Sequence, residues 1–195
     1  MMQITLRTIL TITMVCQTAA VLAETCDYGS RHPAMPEAFD QYAFMIGDFR
    51  IEVRRGEGDG WTDEASSEAY WRGRYIMDGV AIMDEWFNAD PMTDPDTGRG
   101  VNIRFWDMTE SKWKIAWQFV SDPEVRTLES SLDEQGRLRL YRIHDEDFAA
   151  TADGQEIYFE SYSNDHWARI TTALDENGDY KPQLKLEAFR VDCPQ

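Results

Sequence analysis

Apolar and polar residues alternate along most of the chain, and this alternation constrains the fold more than any other feature. The stretch SKWKIAWQFV (111–120) shows it most clearly, with apolar side chains at every second position: Trp113, Ile115, Trp117 and Phe119. A period of two is typical of a β-strand with one apolar face. The pattern leaves open whether that face borders a solid core or a cavity.

About ten segments share this pattern, and short turns separate them. They span residues 49–54, 66–78, 79–89, 101–108, 111–120, 124–133, 137–144, 155–163, 167–174 and 183–191. Asp78-Gly79, Asp153-Gly154 and Asn177-Gly178 supply the positive φ that tight hairpins need. We therefore predict an all-β fold, a roughly ten-stranded antiparallel up-and-down barrel, with a β-sandwich as the alternative.

The only helical pattern lies in AMPEAFDQYAFM (34–45), before the first strand. We predict a short N-terminal helical segment there, with Phe39, Tyr42 and Ala43 facing inward. The longest connection between strands is NADPMTDPDTGRG (88–100), whose prolines and glycines exclude regular structure. It is either a flap over the mouth of the barrel or an ordinary surface loop.

Residues 1–23 have the composition of a signal peptide. Arg7 precedes a short apolar run, and small residues follow up to Ala23. The run is too short to span a membrane. We predict removal of 1–23, a single β-barrel domain over 24–195 with no integral membrane segment, and a periplasmic or secreted location. An N-terminal amphipathic strand or helix is the alternative.

Two cysteines, Cys26 and Cys193, remain after removal of the predicted signal peptide, near the two ends of the mature chain. An even pair in an exported protein predicts a disulfide, with two free thiols as the alternative. The formal net charge of −17 excludes a nucleic-acid partner, because the chain has no basic stripe for phosphates. The acidic residues are dispersed and form no calcium loop, so we predict no metal site.

Three longer phrases are similar to those of a known family: FMIGDFRIEVRR (44–55), YWRGRYIMDGVAIMDEWF (70–87) and GVNIRFWDMTESKWKIAWQFV (100–120). They resemble an uncharacterised family of bacterial lipocalin-like (calycin) β-barrel proteins. Phe49 stands where that family usually has Trp, and Trp106 where it usually has Tyr. The resemblance implies a lipocalin-like barrel and no particular activity.

A neighbouring calycin group, the haem-binding nitrobindins, opens with Gly-x-Trp-x-Gly and uses a histidine as the axial iron ligand. This chain reads GDFRI at 47–51 and lacks the second glycine. Its histidines are His32 in the lead-in, His144 at a strand end and His166 beside a turn. We therefore predict no haem and no other cofactor.

Candidate ligand-binding residues are basic and aromatic side chains on the strands: Tyr70, Arg72, Arg74, Arg104, Trp113 and Trp117. An arginine inside a barrel needs a partner, and a ligand carboxylate or sulfate matches its fork of donors. Outward arginines paired with surface acids are the alternative. The two tryptophans share one strand face and suit a hydrophobic ligand.

The sequence contains no nucleophile elbow, phosphate-binding loop or zinc-binding helix. We predict an exported barrel that binds a small hydrophobic or amphiphilic ligand, with an anionic group as one option. A barrel enzyme is the alternative: an isomerase, lyase or hydrolase using His144 with Glu160, or Asp84 with Glu85, as an acid–base pair. A structural envelope module with a filled barrel is a further alternative.

Overall fold

The computed structural model describes three stretches of the chain: residues 26–94, 96–142 and 155–192. The predicted signal peptide (1–23), Cys193 and His144 lie outside the described residues. Within these stretches, no helix is long and apolar enough to cross a membrane.

Nearly all regular structure in the described part is β-strand. The strands are β1 (Gly47–Glu57), β2 (Gly60–Trp61), β3 (Ser67–Ile76), β4 (Ala81–Phe87), β5 (Arg99–Asp107), β6 (Lys112–Phe119), β7 (Arg126–Leu132), β8 (Leu138–Arg142), β9 (Gln155–Ser163), β10 (His166–Leu174) and β11 (Tyr180–Arg190). A 3₁₀ helix precedes them (Glu37–Met45), and a 3₁₀ turn (Met77–Gly79) links β3 to β4. We call the longer one the plug helix.

Each strand from β3 to β11 pairs antiparallel with the next, and β1 pairs with both β3 and β11. The β1–β11 register runs from Phe49 opposite Arg190 to Arg55 opposite Leu184, and it closes the sheet. The result is a ten-stranded barrel in simple up-and-down order, with β2 as one extra strand on β1. The prediction of an all-β, lipocalin-like barrel is confirmed, and the sandwich is excluded.

Strand β11 begins earlier than the sequence indicates. The predicted strand starts at 183, after Pro182, because proline removes a hydrogen-bond donor from the ladder. In the structure β11 starts at Tyr180 and accommodates Pro182 opposite Thr172, beside a break in register between Thr171 and Thr172. A β-bulge thus admits the proline within the strand.

The plug helix buries Phe39, Tyr42 and Met45, which are spaced three residues apart. Three residues per turn is the period of a 3₁₀ helix, so these side chains share one face. The prediction that Ala43 faces inward is wrong: Ala43 is exposed, because the helix is wound more tightly than an α-helix.

The plug helix closes one end of the barrel. The Phe39 and Tyr42 rings lie 4.8 and 5.0 Å from the Trp113 ring, and Tyr42 lies 5.7 Å from Phe159. The helix leads directly into β1, so it sits at the end of the barrel where β1 begins. The loops that follow β1, β4, β6 and β10 lie at the opposite end, which we call the mouth.

The apolar stripe of β6 faces the barrel interior and divides between two environments. Trp113 and Ile115 are fully buried in the core, and Trp113 contacts the plug helix. Trp117 and Phe119, nearer the mouth, line a cavity. The barrel is therefore solid at the plug end and hollow toward the mouth.

Candidate ligand-binding cavity

The hollow part of the barrel has a volume of about 450 Å³, within the range of small-molecule sites. Its apolar wall comes from inward-facing positions on most of the strands: Val53, Trp71, Trp86, Trp117, Phe119, Leu128, Leu140, Ile157, Phe159, Leu184 and Leu186. Its polar lining consists of Arg55, Ser67, Asn102, Arg104, Arg126 and Arg169. The described lining thus carries positive charge inside a protein whose net charge is −17.

At the floor of the cavity, Arg104 forms a buried ion pair with Asp84. The Arg104 Nε donates to Asp84 Oδ1 at 2.6 Å, and the Asn102 side-chain amide donates to Asp84 Oδ2 at 2.5 Å. The Arg104 guanidinium also lies 4.4 Å from the centre of the Tyr42 ring. Burial alone lowers the pKa of Arg104, but Asp84 outweighs it, and the net shift is upward. Arg104 therefore stays charged.

Tyr42 completes this floor from below. Its hydroxyl donates to Ser130 Oγ at 2.9 Å. Burial raises the pKa of Tyr42, which keeps the hydroxyl protonated at neutral pH. The plug helix is thereby tied to the barrel wall by a buried hydrogen bond as well as by ring packing.

Arg169, on β10, is in a different situation from Arg104. No hydrogen bond or ion pair reaches its side chain from the described residues, and its buried Nε has no acceptor. Burial, followed by repulsion from Arg104, lowers its pKa to about 10, although Asp84 opposes the shift. Arg169 still keeps accessible surface, because it lines the cavity. It is an enclosed cation that faces empty space.

Two further arginines line the cavity closer to the mouth. Arg126 forms an ion pair with Asp122, with 2.7 Å between Nη2 and Oδ2. Arg55 lies on β1 opposite Leu184, and no carboxylate of the described residues pairs with it. The cavity therefore holds two paired arginines and two unpaired ones.

The structure separates the candidate ligand-binding residues predicted from the sequence into three groups. Arg104 and Trp117 line the cavity, and their contact with a ligand remains a prediction. Trp113 lies in the core against the plug helix, away from the cavity. Tyr70, Arg72 and Arg74 lie on the outer face of the barrel and do not line this cavity.

The register of β3 explains why these three side chains face outward. Trp71 lies opposite Phe49 and turns inward, so Tyr70 and Arg72 on either side of it turn outward. Tyr70 and Arg72 line a smaller cleft of about 250 Å³, which Asp90, Pro91 and Met92 also border. Arg74 instead approaches Glu85, with 3.6 Å between Nη2 and Oε2.

Asp48, on the outer face, contacts residues near both ends of the described chain. Its carboxylate accepts hydrogen bonds from Arg72 Nε and from the Tyr28 hydroxyl, both at 2.7 Å. Cys26 Sγ lies 3.9 Å from Asp48 Oδ2, and the Val191 N–H donates to the Asp48 carbonyl at 3.0 Å. Cys26 is thus close to the residues that directly precede Cys193.

Sequence reasoning missed Arg169 and Arg55. Arg169 lies in HWARITTAL, where both faces of the strand carry apolar or small residues, so the alternation does not show which face turns inward. The one available signal is that Arg169 shares a face with Trp167. Arg55 lies beyond the alternating part of β1, next to a Gly-rich turn, and reads as a loop residue.

Of the acid–base pairs suggested from the sequence, Asp84 with Glu85 is not assembled, and His144 with Glu160 is not tested because His144 lies outside the described residues. Asp84 faces inward and Glu85 outward, as neighbours on a strand must. Glu160 is on the outside, where it accepts a hydrogen bond from Tyr162 at 2.6 Å. No carboxylate, histidine or cysteine occurs among the described residues that line the cavity. Nor does the described part contain a cluster of acidic, histidine or cysteine residues that could hold a metal ion.

The fold and the cavity together define an antiparallel, lipocalin-like barrel with a cavity in its interior. No family model matches the chain, and no curated protein matches it. The resemblance to the uncharacterised calycin family therefore stays a prediction, although the barrel that it implies is confirmed.

The chain is similar to two solved structures. One is the S-type phycobiliprotein lyase CPES from Guillardia theta, at 14% identity over 79% of this chain and 92% of that chain, with a TM-score of 0.44. The other is a DUF3598 family protein of unknown function from Nostoc punctiforme, at 6% identity over 80% of this chain and 100% of that chain, with a TM-score of 0.22. We assign no function to this chain from either likeness.

Proposed function

We propose that this protein is an exported binding protein for a small amphiphilic molecule with an anionic group, held inside the barrel with that group on Arg169. One observation carries the proposal: Arg169 is an unpaired cation that faces an aromatic-walled cavity. An enclosed charge without a partner destabilises a protein. A bound carboxylate would supply the missing partner in the fork geometry that guanidinium prefers.

The rest of the cavity suits an apolar body. The rings of Trp86 and Trp117, together with Leu184 and Leu186, line the same cavity as Arg169. Apolar surface buried there contributes about 25 cal/mol per Å². A ligand with one charged end and one apolar part therefore matches both halves of the lining.

Binding is favoured over the two alternatives. A barrel enzyme of the acid–base kind needs a free base at the ligand. No carboxylate or histidine of the described residues lines the cavity, and Asp84, buried beneath it, is held by Arg104 and Asn102. A structural module with a filled barrel does not account for a hollow of about 450 Å³. Binding accounts for both the space and the unpaired charge.

Export and a Cys26–Cys193 disulfide are part of the same proposal. The sequence of residues 1–23 supports export, and the nearness of Cys26 to Val191 through Asp48 supports the bridge. Protein recovered from outside the host cytoplasm is expected to begin at Glu24, and its mass should increase by two hydrogens on reduction. An intact N-terminus, or no change in mass, would contradict these two points.

The binding proposal is tested with dodecanoate and its uncharged analogue dodecanol, using the fluorescence of the lumenal tryptophans as the readout. Dodecanoate should bind more tightly, and Arg169→Met should weaken it by roughly 10- to 100-fold, the value of a charge-assisted hydrogen bond. Dodecanol should bind Arg169→Met and the unsubstituted protein alike. Arg74→Met, on the outer face, is the matched control and should change neither affinity. Equal binding of dodecanoate by Arg169→Met and the unsubstituted protein would overturn the proposal.

A further inference from the structure

The ion pairs between basic side chains and carboxylates show which basic side chains have no carboxylate partner. Arg99 lies over the Phe87 ring. Every other lysine and arginine side chain that the structure describes forms an ion pair with a carboxylate, except Arg55 and Arg169. The chain has 36 acidic and 19 basic residues, so an arginine without a carboxylate is unusual in it. Both of these arginines line the same cavity.

The two unpaired arginines lie at different depths. Arg169 is level with Leu186 and Val53 across β10, β11 and β1, whereas Arg55 is two residues farther along β1 toward the mouth. Two residues of strand and two strand spacings separate their Cα atoms by about 12 Å. Arg104 and Asp84 are the charges that shift the pKa of Arg169, and Arg55 is not among them. The two guanidinium groups therefore act as separate sites.

We infer that the ligand carries two anionic groups, one at each end of an apolar body. One group would bind Arg169 inside the barrel, and the other would bind Arg55 at the mouth. This inference rests on the proposed function and narrows its ligand class to elongated dianions such as aliphatic dicarboxylates. Trp117 and Leu184 line the same cavity and would contact the apolar part.

Arg126 provides an internal comparison. It also lines the cavity near the mouth, but Asp122 already occupies its guanidinium at 2.7 Å. If any arginine at the mouth could bind the second anionic group, Arg126 and Arg55 would contribute equally to the affinity. If only an arginine without a carboxylate partner can bind it, only Arg55 contributes.

The test compares dodecanedioic acid with dodecanoic acid by isothermal titration calorimetry in a phosphate-free buffer. A series from octanedioic to tetradecanedioic acid varies the spacing between the two carboxylates. The best diacid should bind about 10-fold more tightly than its monoacid. Arg55→Gln should remove that advantage and leave the monoacid affinity unchanged, while Arg126→Gln should alter neither. Arg169→Met should weaken both probes.

The outcomes separate the two proposals. If the monoacids bind in an Arg169-dependent manner but no diacid binds better, or Arg55→Gln has no effect, the dianion inference is wrong and the proposed function stands. If no acid in the series binds, both are wrong. Thermal unfolding of each variant checks that it is folded, and Arg55 is exposed enough that its replacement leaves the core intact.

Discussion

Arg104 reaches diagonally across the inner face of the barrel to Asp84, and the 2.6 Å between Nε and Oδ1 makes this a tight, fully buried ion pair. Arg169 lines the same cavity without any such partner. The same substitution at these two positions should therefore have opposite effects on stability.

Arg104→Met removes the counter-charge of a carboxylate that has no access to water. Asp84 would then be buried with only Asn102 as a partner. We expect the free energy of unfolding to fall by about 3–5 kcal/mol, as is typical when one member of a buried ion pair is removed. Urea denaturation followed by tryptophan fluorescence measures it, and a change near zero would show that Asp84 is neutral in the folded protein.

Arg169→Met replaces an enclosed, unpaired cation by an apolar side chain of comparable length. We expect the free energy of unfolding of the ligand-free protein to rise, on the order of 1 kcal/mol, while anion binding weakens. A gain in stability together with weaker anion binding would distinguish an arginine that binds a ligand from one that stabilises the fold. Destabilisation by Arg169→Met in the same urea titration would indicate a structural role.

Gly73 allows the end of the plug helix to lie against β3. A Cβ added at this position would be 2.0 Å from the Met45 carbonyl oxygen, so Gly73→Ala must displace the helix. We expect the free energy of unfolding to decrease by about 1–3 kcal/mol, as for other overpacked sites. Gly60→Ala is the control, because its nearest neighbour lies 3.9 Å away. Equal stability of both variants would mean that the plug helix does not press on β3.

Gly100 provides room for the Trp117 ring beside the cavity. A Cβ at Gly100 would be 2.1 Å from Trp117 Cη2, which forces the indole to move. We expect Gly100→Ala to shift the tryptophan emission maximum and to weaken binding of dodecanoate. If affinity and emission both stay as in the unsubstituted protein, Trp117 does not shape the cavity.

Glu129, on the outer face, makes the stability of the folded protein depend on pH. Burial raises its pKa, but Lys112 and Lys114 outweigh this and hold the pKa below its usual range. A carboxyl group with a lowered pKa stabilises the folded state at neutral pH, and the stabilisation is lost as the pH falls through that value. Glu129→Gln should therefore be less stable than the unsubstituted protein at pH 7 and should lose less stability on acidification. Thermal unfolding at a series of pH values measures this, and parallel curves for the two proteins would contradict it.

The order of the strands was predictable because each turn is short and each strand pairs with its neighbour in sequence. The faces of the strands were predictable only where one face is clearly polar. On β6 the lysines mark the outside, and Trp117 is correctly placed inside. On β3 both faces carry aromatic residues, and the inward face depends on the register with Phe49 on the neighbouring strand β1.

The charged part of the site was harder to predict than its aromatic wall. Arg104 could be proposed as a ligand-binding residue because it shares a face of β5 with Asn102 and Trp106. Its partner Asp84 belongs to β4, and nothing local indicates that the two meet. What matters about Arg169 is the lack of a partner, and that is a property of the three-dimensional surroundings rather than of any segment.

The seam between β1 and β11 joins the earliest and latest strands of the sheet. Since synthesis proceeds from the N-terminus, the cylinder cannot be completed until Tyr180–Arg190 has been made. Until then β1 and β10 each present a row of unsatisfied backbone groups that other chains can pair with. Pairing between strands so far apart in the sequence slows folding, so both edges stay open to other chains until the final strand pairs with them.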